Sequence, residues 1–221
     1  MDKSINSNRF YRFLEWLMWL MYLNVLWMLS SLAGLVVLGV FPATMALVIT
    51  MREWCMQQES MTFHKTFFKA YKQIFIKANL IGYLLLAIGY VFVIDYQWIM
   101  HNQTSLQSLY LVAFILFGIC FLITLMYIFP TFAHFQVSLP QSFKHALILG
   151  TFSPLITVIM FTALFLLQYL WRFIPGLLPV IGISLTFYII TRLSIMAFEG
   201  FEKKQQMLFE KEYRKGAKKH A

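Results

Sequence analysis

Between Glu15 and Arg52 the chain passes through 36 residues without one Asp, Glu, Lys or Arg. Arg9 and Arg12 ahead of this run, and Ser31-Leu32-Ala33 within it, imitate a signal peptide with a small-residue cleavage site. A cleavable apolar region is about 7–15 residues, however, so the run reads as retained membrane structure. The rest of the chain agrees. Of its 221 residues 60% are hydrophobic and 12% charged, against roughly 25% charged in a soluble domain, and Phe alone supplies 23. One core of this length cannot hide that much apolar surface, so much of it faces lipid.

A spanning helix needs about 20 mostly apolar residues, because each residue rises about 1.5 Å and the hydrocarbon layer is about 30 Å thick. Five stretches qualify: Leu17 to Gly39, Phe75 to Ile94, Leu106 to Pro130, Ala146 to Trp171 and Ile174 to Phe198. They are apolar on every face, without the alternation of barrel strands, so the predicted class is an all-α integral membrane bundle. After the first span, Gly39-Val40-Phe41-Pro42 predicts a break, and Ala43 to Met56 continues as a short apolar piece. Fourteen residues rise only about 21 Å, which suits a short or tilted span, a re-entrant half-helix or a surface helix.

Charge placement selects among these. With five crossings the 18 Lys and Arg divide four against fourteen. If Ala43 to Met56 also crosses, 17 of the 18 fall on one side and only Arg172 on the other. The positive-inside rule therefore favours five full spans plus one short inserted helix, six passages in all, with both termini cytoplasmic in a bacterial cytoplasmic membrane. Trp16, Trp19, Trp54, Tyr96, Trp98 and Trp171 fall near predicted span ends, where aromatic rings favour the headgroup layer. A net charge of +9 on a soluble protein would point to nucleic acid. Here the basic residues flank apolar runs, so topology and anionic headgroups account for them and no nucleic-acid partner is expected.

The expected domain organisation is a single membrane domain over 1–198 and a basic cytoplasmic tail over 199–221, with seven Lys or Arg and three Glu after Glu199. Within the domain, Thr62 to Lys77 is amphipathic. Phe63, Phe67, Phe68, Tyr71, Ile74 and Phe75 share one arc of a helical wheel, and Lys65, Lys69 and Lys72 the opposite one. Such a helix lies in the membrane interface, docks a partner, or simply leads into the next span, and the three lysines are the candidate partner or lipid contacts.

Few residues offer chemistry. The polar groups inside the apolar runs are amides and hydroxyls, among them Asn24, Asn79, Thr124, Thr157 and Gln168, and Glu15, Asp95 and Glu199 all map to interfaces. No acid at mid-membrane argues against an ion-coupled carrier. Asn24 suits bridging between helices better than binding a substrate. The histidines, His134 and His145 in a predicted Phe132 to His145 loop among them, have no metal-ligand spacing, and Cys55 and Cys120 stand apart as packing residues. Neither an activated serine nor a glycine-rich phosphate loop is present, so no enzyme activity, cofactor or metal is expected.

The front half carries Asn24-x-x-Trp27, Gly39-x-x-Pro42-Ala43-Thr44, Arg52-x-Trp54, Glu59 and Phe67-Phe68-x-x-Tyr71-Lys72, followed by the weaker Tyr127-x-Phe129-Pro130 and Lys144-His145-Ala146. In these features the chain resembles the YesL-like family of bacterial multi-pass membrane proteins, itself largely a domain of unknown function. In the usual family pattern the glycine abuts Pro-Ala-Thr, whereas here Val40 and Phe41 intervene. The resemblance implies an all-helical protein, often encoded beside carbohydrate importers of the ATP-binding-cassette type, and no catalytic residues. Physically, Gly39 and Pro42 suit a sharp break, and Thr44 suits capping the amides that the break frees. The function expected is a non-enzymatic accessory or regulatory protein of carbohydrate uptake or utilisation, partnered by lipid and importer subunits. The alternative is a small passive transporter or channel lined by Asn24, Asn79, Thr124, Thr157 and Gln168.

Overall fold

A computed structural model describes residues 2–56, 62–101, 106–135 and 138–219, with side chains between 9 and 207. Glu59 of the motif series and the side chains of the basic tail beyond Met207 lie outside the described residues. Seven α-helices, α1 (Asp2–Ala33), α2 (Val40–Met56), α3 (Phe63–His101), α4 (Gln107–Phe135), α5 (Leu139–Phe152), α6 (Pro154–Phe173) and α7 (Ile183–Lys219), make up the bundle, with 3₁₀ and π turns over 175–182. Among the described residues five segments are long and apolar enough to cross a membrane: Arg9–Ala33, Phe63–His101, Gln107–Phe135, Pro154–Phe173 and Pro175–Met207. Their outward faces are apolar, as at Ile76, Phe117 and Phe173, which are 80%, 69% and 81% exposed. Such surface is stable only against lipid.

Contacts fix the relative directions of α1, α2, α3, α4 and α7. Trp27 meets Thr44 and Trp54 meets Phe63, while Phe41 lies on Gly82, so α2 runs antiparallel to both α1 and α3. Trp98 on Tyr110 and Phe92 on Phe121 make α4 antiparallel to α3. Phe129 on Phe187 and His134 on Phe198 make α7 parallel to α4. Trp16 on Tyr188 and Asn24 at Ser184 make α7 antiparallel to α1. The body of α1 therefore starts, and that of α7 finishes, at one end of the bundle, the end that also carries Arg52 and the α3 lysines. At 17 residues α2 is about 26 Å long, and it is the most enclosed element, with Ala43, Met45, Ala46, Leu47, Val48 and Met51 fully buried among its neighbours.

Three local features depart from the sequence expectations. The first break falls at Gly34, five residues before Gly39: α1 ends at Ala33 and the turn carries Leu35 and Val36 at φ 55° and 63°. Gly39 serves close approach instead, since a Cβ there would stand 2.3 Å from the Ser31 carbonyl oxygen, and Pro42 sits in the first turn of α2, where its missing N–H costs nothing. Ala146 to Trp171 is two helices, divided at Ser153-Pro154. Proline leaves the Gly150 carbonyl without its helical donor, and the Thr157 hydroxyl fills that role at 3.0 Å while receiving Tyr127 Oη at 3.0 Å. Finally, His134 belongs to the last turn of α4 and His145 to the middle of α5, and their rings flank Phe135; 136–137 lie outside the described residues.

Candidate functional site: a basic groove between α2, α3 and α4

Residues 62–77 enter α3 without a break, so this amphipathic segment is the first third of a 39-residue helix about 58 Å long. Part of its apolar arc is docked inside the bundle: Phe63 and Phe67 are buried, and Phe63 stacks on Trp19 at 4.2 Å and meets Trp54 edge-on at 5.4 Å, whereas Phe68, placed on the same arc by the wheel, is 45% exposed. Tyr188 of α7 joins them against Trp16 and Trp54, which closes an aromatic collar around this end. Lys65, Lys69 and Lys72 remain exposed.

The structure then separates the three lysines. Thr66, Lys69, Ala70, Gln73, Ile74 and Lys77, spaced three or four apart, form one stripe of α3 and one wall of a groove of about 420 Å³. Ile49, Arg52 and Glu53 of α2 form the facing wall, and Phe132 and Ala133 of α4 close it. Lys65 and Lys72 stand roughly 110–130° around α3 from the centre of that stripe and do not line the groove. Three cations thus face one acid over an apolar floor. Lys77, Gln73 and Thr66 are site residues that the wheel reading passed over, although the i, i+4, i+8 spacing of Lys69, Gln73 and Lys77 carried the signal.

Arg52 is held in place from behind. Its Nε donates to Nδ1 of His134 at 3.2 Å, which requires that nitrogen to be unprotonated, and His134 Nε2 stands 3.6 Å from Oε1 of Glu202 on α7. Helices α2, α4 and α7 are joined by this chain. No carboxylate lies within 4 Å of Arg52, Lys69 or Lys77 among the described residues.

The other motif residues hold helices together. Asn24, fully buried, accepts from the Ser184 backbone N–H at 3.1 Å and donates to the Pro179 carbonyl at 2.6 Å, which ties α1 to the start of α7. Trp27 Nε1 donates to Thr44 Oγ1 at 3.0 Å; Thr44 is the fifth residue of α2 and makes this interhelical bond instead of a cap. Of the other residues proposed to line a solute path, three have side-chain hydrogen bonds to helix or turn carbonyls, although the Asn79 Oδ1 is buried without a partner. Asn79 donates to the Leu38 and Phe75 carbonyls, Thr124 to Cys120, and Thr157 to Gly150, while Gln168 is exposed on the outer face of α6. No three His, Cys, Asp or Glu side chains gather into a metal site among the described residues.

Comparison with known proteins places these features in company. The family profile described as "Protein of unknown function, DUF624" matches residues 20–96, the stretch that contains α2 and the α3 wall of the groove. YteU of Bacillus subtilis (strain 168) is 34% identical over 155 residues, covering 70% of this chain and 69% of its own. YesV of the same organism is 31% identical over 170 residues, 77% and 80% of the two chains, and YesL is 28% identical over 175 residues, 79% and 82%. All three carry the description "uncharacterized protein". No solved structure matches the chain.

Proposed function

Since this chain belongs to the DUF624 family, the group its YesL-like features indicated, we propose that it is a non-enzymatic accessory or regulatory protein of the bacterial cytoplasmic membrane. In this reading it assists carbohydrate uptake or utilisation by docking importer subunits at its basic, cytoplasmic end. One observation carries the proposal. Arg52, Lys65, Lys69, Lys72 and Lys77 stand at one end with no carboxylate partner among the described residues, whereas the buried amides and hydroxyls of the spans are enclosed, some bonded to helices, as at Asn24, Thr44 and the Asn79 Nδ2, and some without a partner, as at Ser30, Thr131 and Ser194. A surface like that is available to another molecule, and the bundle interior is not. The positive-inside rule supports placing that end in the cytoplasm.

Cross-linking in intact cells grown on the inducing carbohydrate, followed by purification of the tagged full chain and mass spectrometry, tests the reading. Importer subunits among the cross-linked products are the expected result. Recovery of self-cross-links alone would overturn it and favour a passive transporter, to be checked by solute flux in proteoliposomes.

A further inference from the structure

We propose that the groove between α2, α3 and α4 is a binding site for the phosphate of an anionic phospholipid headgroup. The charge comes first. Arg52, Lys69 and Lys77 line one cavity in which Glu53 is the sole acid, a net of two positive charges. Phosphate is the anion such a set recognises best, because it accepts several charge-assisted hydrogen bonds at once. Arg52 is already oriented to receive it, since His134 holds its Nε and its terminal amino groups have no protein partner among the described residues. A planar guanidinium fixed through one nitrogen keeps its outer donors aligned for a bidentate contact. Thr66 and Gln73 add neutral groups suited to ester oxygens and headgroup hydroxyls.

The floor of the groove and its surroundings select the carrier of that phosphate. Ile49, Ala70, Ile74, Phe132 and Ala133 are apolar, so the cavity is amphiphilic rather than a water-filled anion trap. Along α3 the stripe ends at Lys77, beside Ile76 and Leu80, which are 80% and 54% exposed on the apolar outer face. A headgroup in the groove therefore has its acyl chains beside a lipid-facing surface. The volume, about 420 Å³, falls within the roughly 300–1,000 Å³ of small-ligand sites. This site does not depend on the docking role proposed above.

Full-length protein in a neutral detergent, titrated with phosphatidylglycerol or phosphatidylcholine at physiological ionic strength, tests the site when bound lipid is counted by native mass spectrometry. Phosphatidylglycerol should bind selectively. The double variant Lys69→Gln/Lys77→Gln, which removes two exposed side chains, should bind it about 25-fold more weakly, roughly fivefold per cation. Lys65→Gln/Lys72→Gln loses the same charge away from the groove and should change binding less than about threefold, because screening over about 8 Å isolates charges that do not converge. Equal losses in the two doubles, or no preference for phosphatidylglycerol, would overturn the proposal. Glycerol phosphate as competitor separates the sources. Displacement of lipid only at large excess supports the lipid, whereas binding of glycerol phosphate as tight as that of phosphatidylglycerol would refute the lipid assignment. Arg52→Lys keeps the charge but loses the fork, and should weaken binding without altering the helical circular-dichroism signal.

Discussion

Replacing Asn24 with Leu tests whether the amide is a fastener or a ligand. The two side chains share one branched four-atom skeleton, so the change leaves no cavity and its main effect is to remove the hydrogen bonds. Two bonds that reach the segment before and at the start of α7 are lost, acceptance from the Ser184 N–H at 3.1 Å and donation to the Pro179 carbonyl at 2.6 Å, together with a long 3.9 Å contact to Met28 Sδ within α1. Ser184 lies in the first turn of α7, directly after the π turn, and at 1% exposure Asn24 leaves no room for water to substitute. A buried group left unpaired costs about 1–3 kcal/mol in soluble proteins, but hydrogen bonds between membrane helices average about 0.6 kcal/mol, because the unfolded state in lipid also finds partners. The two bonds together predict a loss of about 1–3 kcal/mol. Asn24→Asp should be worse than Asn24→Leu, since it sets a second oxygen against the Pro179 carbonyl and buries an acid. Unfolding in mixed detergent micelles with increasing dodecyl sulfate, followed by tryptophan fluorescence and circular dichroism, measures both variants against the parent. If Asn24→Leu lies within about 0.5 kcal/mol of the parent, the range of an inconsequential substitution, the fastening argument fails. Unchanged stability with altered solute flux would place Asn24 on a path.

The same unfolding assay checks three further expectations. Gly39→Ala should cost about 2–3 kcal/mol, because the new Cβ would stand 2.3 Å from a backbone oxygen that cannot swing aside, while Gly176→Ala, with nothing within 4 Å, should stay within about 0.5 kcal/mol. Thr157→Val should cost about 1–2 kcal/mol by stripping the donor from the Gly150 carbonyl, and combining it with Tyr127→Phe should be clearly less than additive, since the two hydroxyls form one chain. Glu202→Gln should change stability by less than about 0.5 kcal/mol despite its place behind His134, because its side chain is 54% exposed and the 3.6 Å contact is screened. A larger loss would mean that the Arg52–His134–Glu202 chain holds the three helices together.

The parts of this architecture that follow from periodicity and transfer energy were legible in the sequence. Long apolar runs dictate helices in lipid, and the count of basic residues correctly required α2 to reverse direction, so that the bodies of α1 and α7 meet the same end of the bundle. Positions set by tertiary contact were not legible. Nothing local distinguishes Gly34, where α1 stops, from Gly39, which packs on Ser31; both are glycines in an apolar run. The division at Ser153-Pro154 did have a signal in the proline, but membrane helices tolerate proline when a side chain rescues the freed carbonyl, and only the fold brings Thr157 and Tyr127 to it. At the groove, the sequence supplied Lys69 on the correct helix. The choice between its neighbours Lys65, Lys72 and Lys77 depends on where α2 and α4 lie, which no wheel of a single helix contains.

The polar residues of α3 show why isolated amides and hydroxyls in spans resist a functional reading. The turn after α1 frees backbone carbonyls in a stretch with no polar side chain from Gly34 to Gly39, and Leu35 and Val37 are 81% and 67% exposed, so the tip itself faces an apolar medium. Such carbonyls must find protein donors, since lipid offers none. Two side chains of α3 provide them, Asn79 Nδ2 to Leu38 at 3.0 Å and Tyr83 Oη to Val37 at 2.8 Å, and Tyr71 Oη adds a second donor, at 3.1 Å, to the Ser30 carbonyl that already accepts the Gly34 N–H. Residues 71, 79 and 83 are separated by eight and four, two turns and one, so they share a face of one unbroken helix. Continuity of α3 is thereby explained. A break between its lysine-bearing start and its apolar remainder would rotate Tyr71 away from Asn79 and Tyr83 and leave the turn unsatisfied. Asn79, read alone, could belong to a solute path; read with the turn it serves, its Nδ2 substitutes for water at the Leu38 carbonyl, which is an architectural use of a polar group.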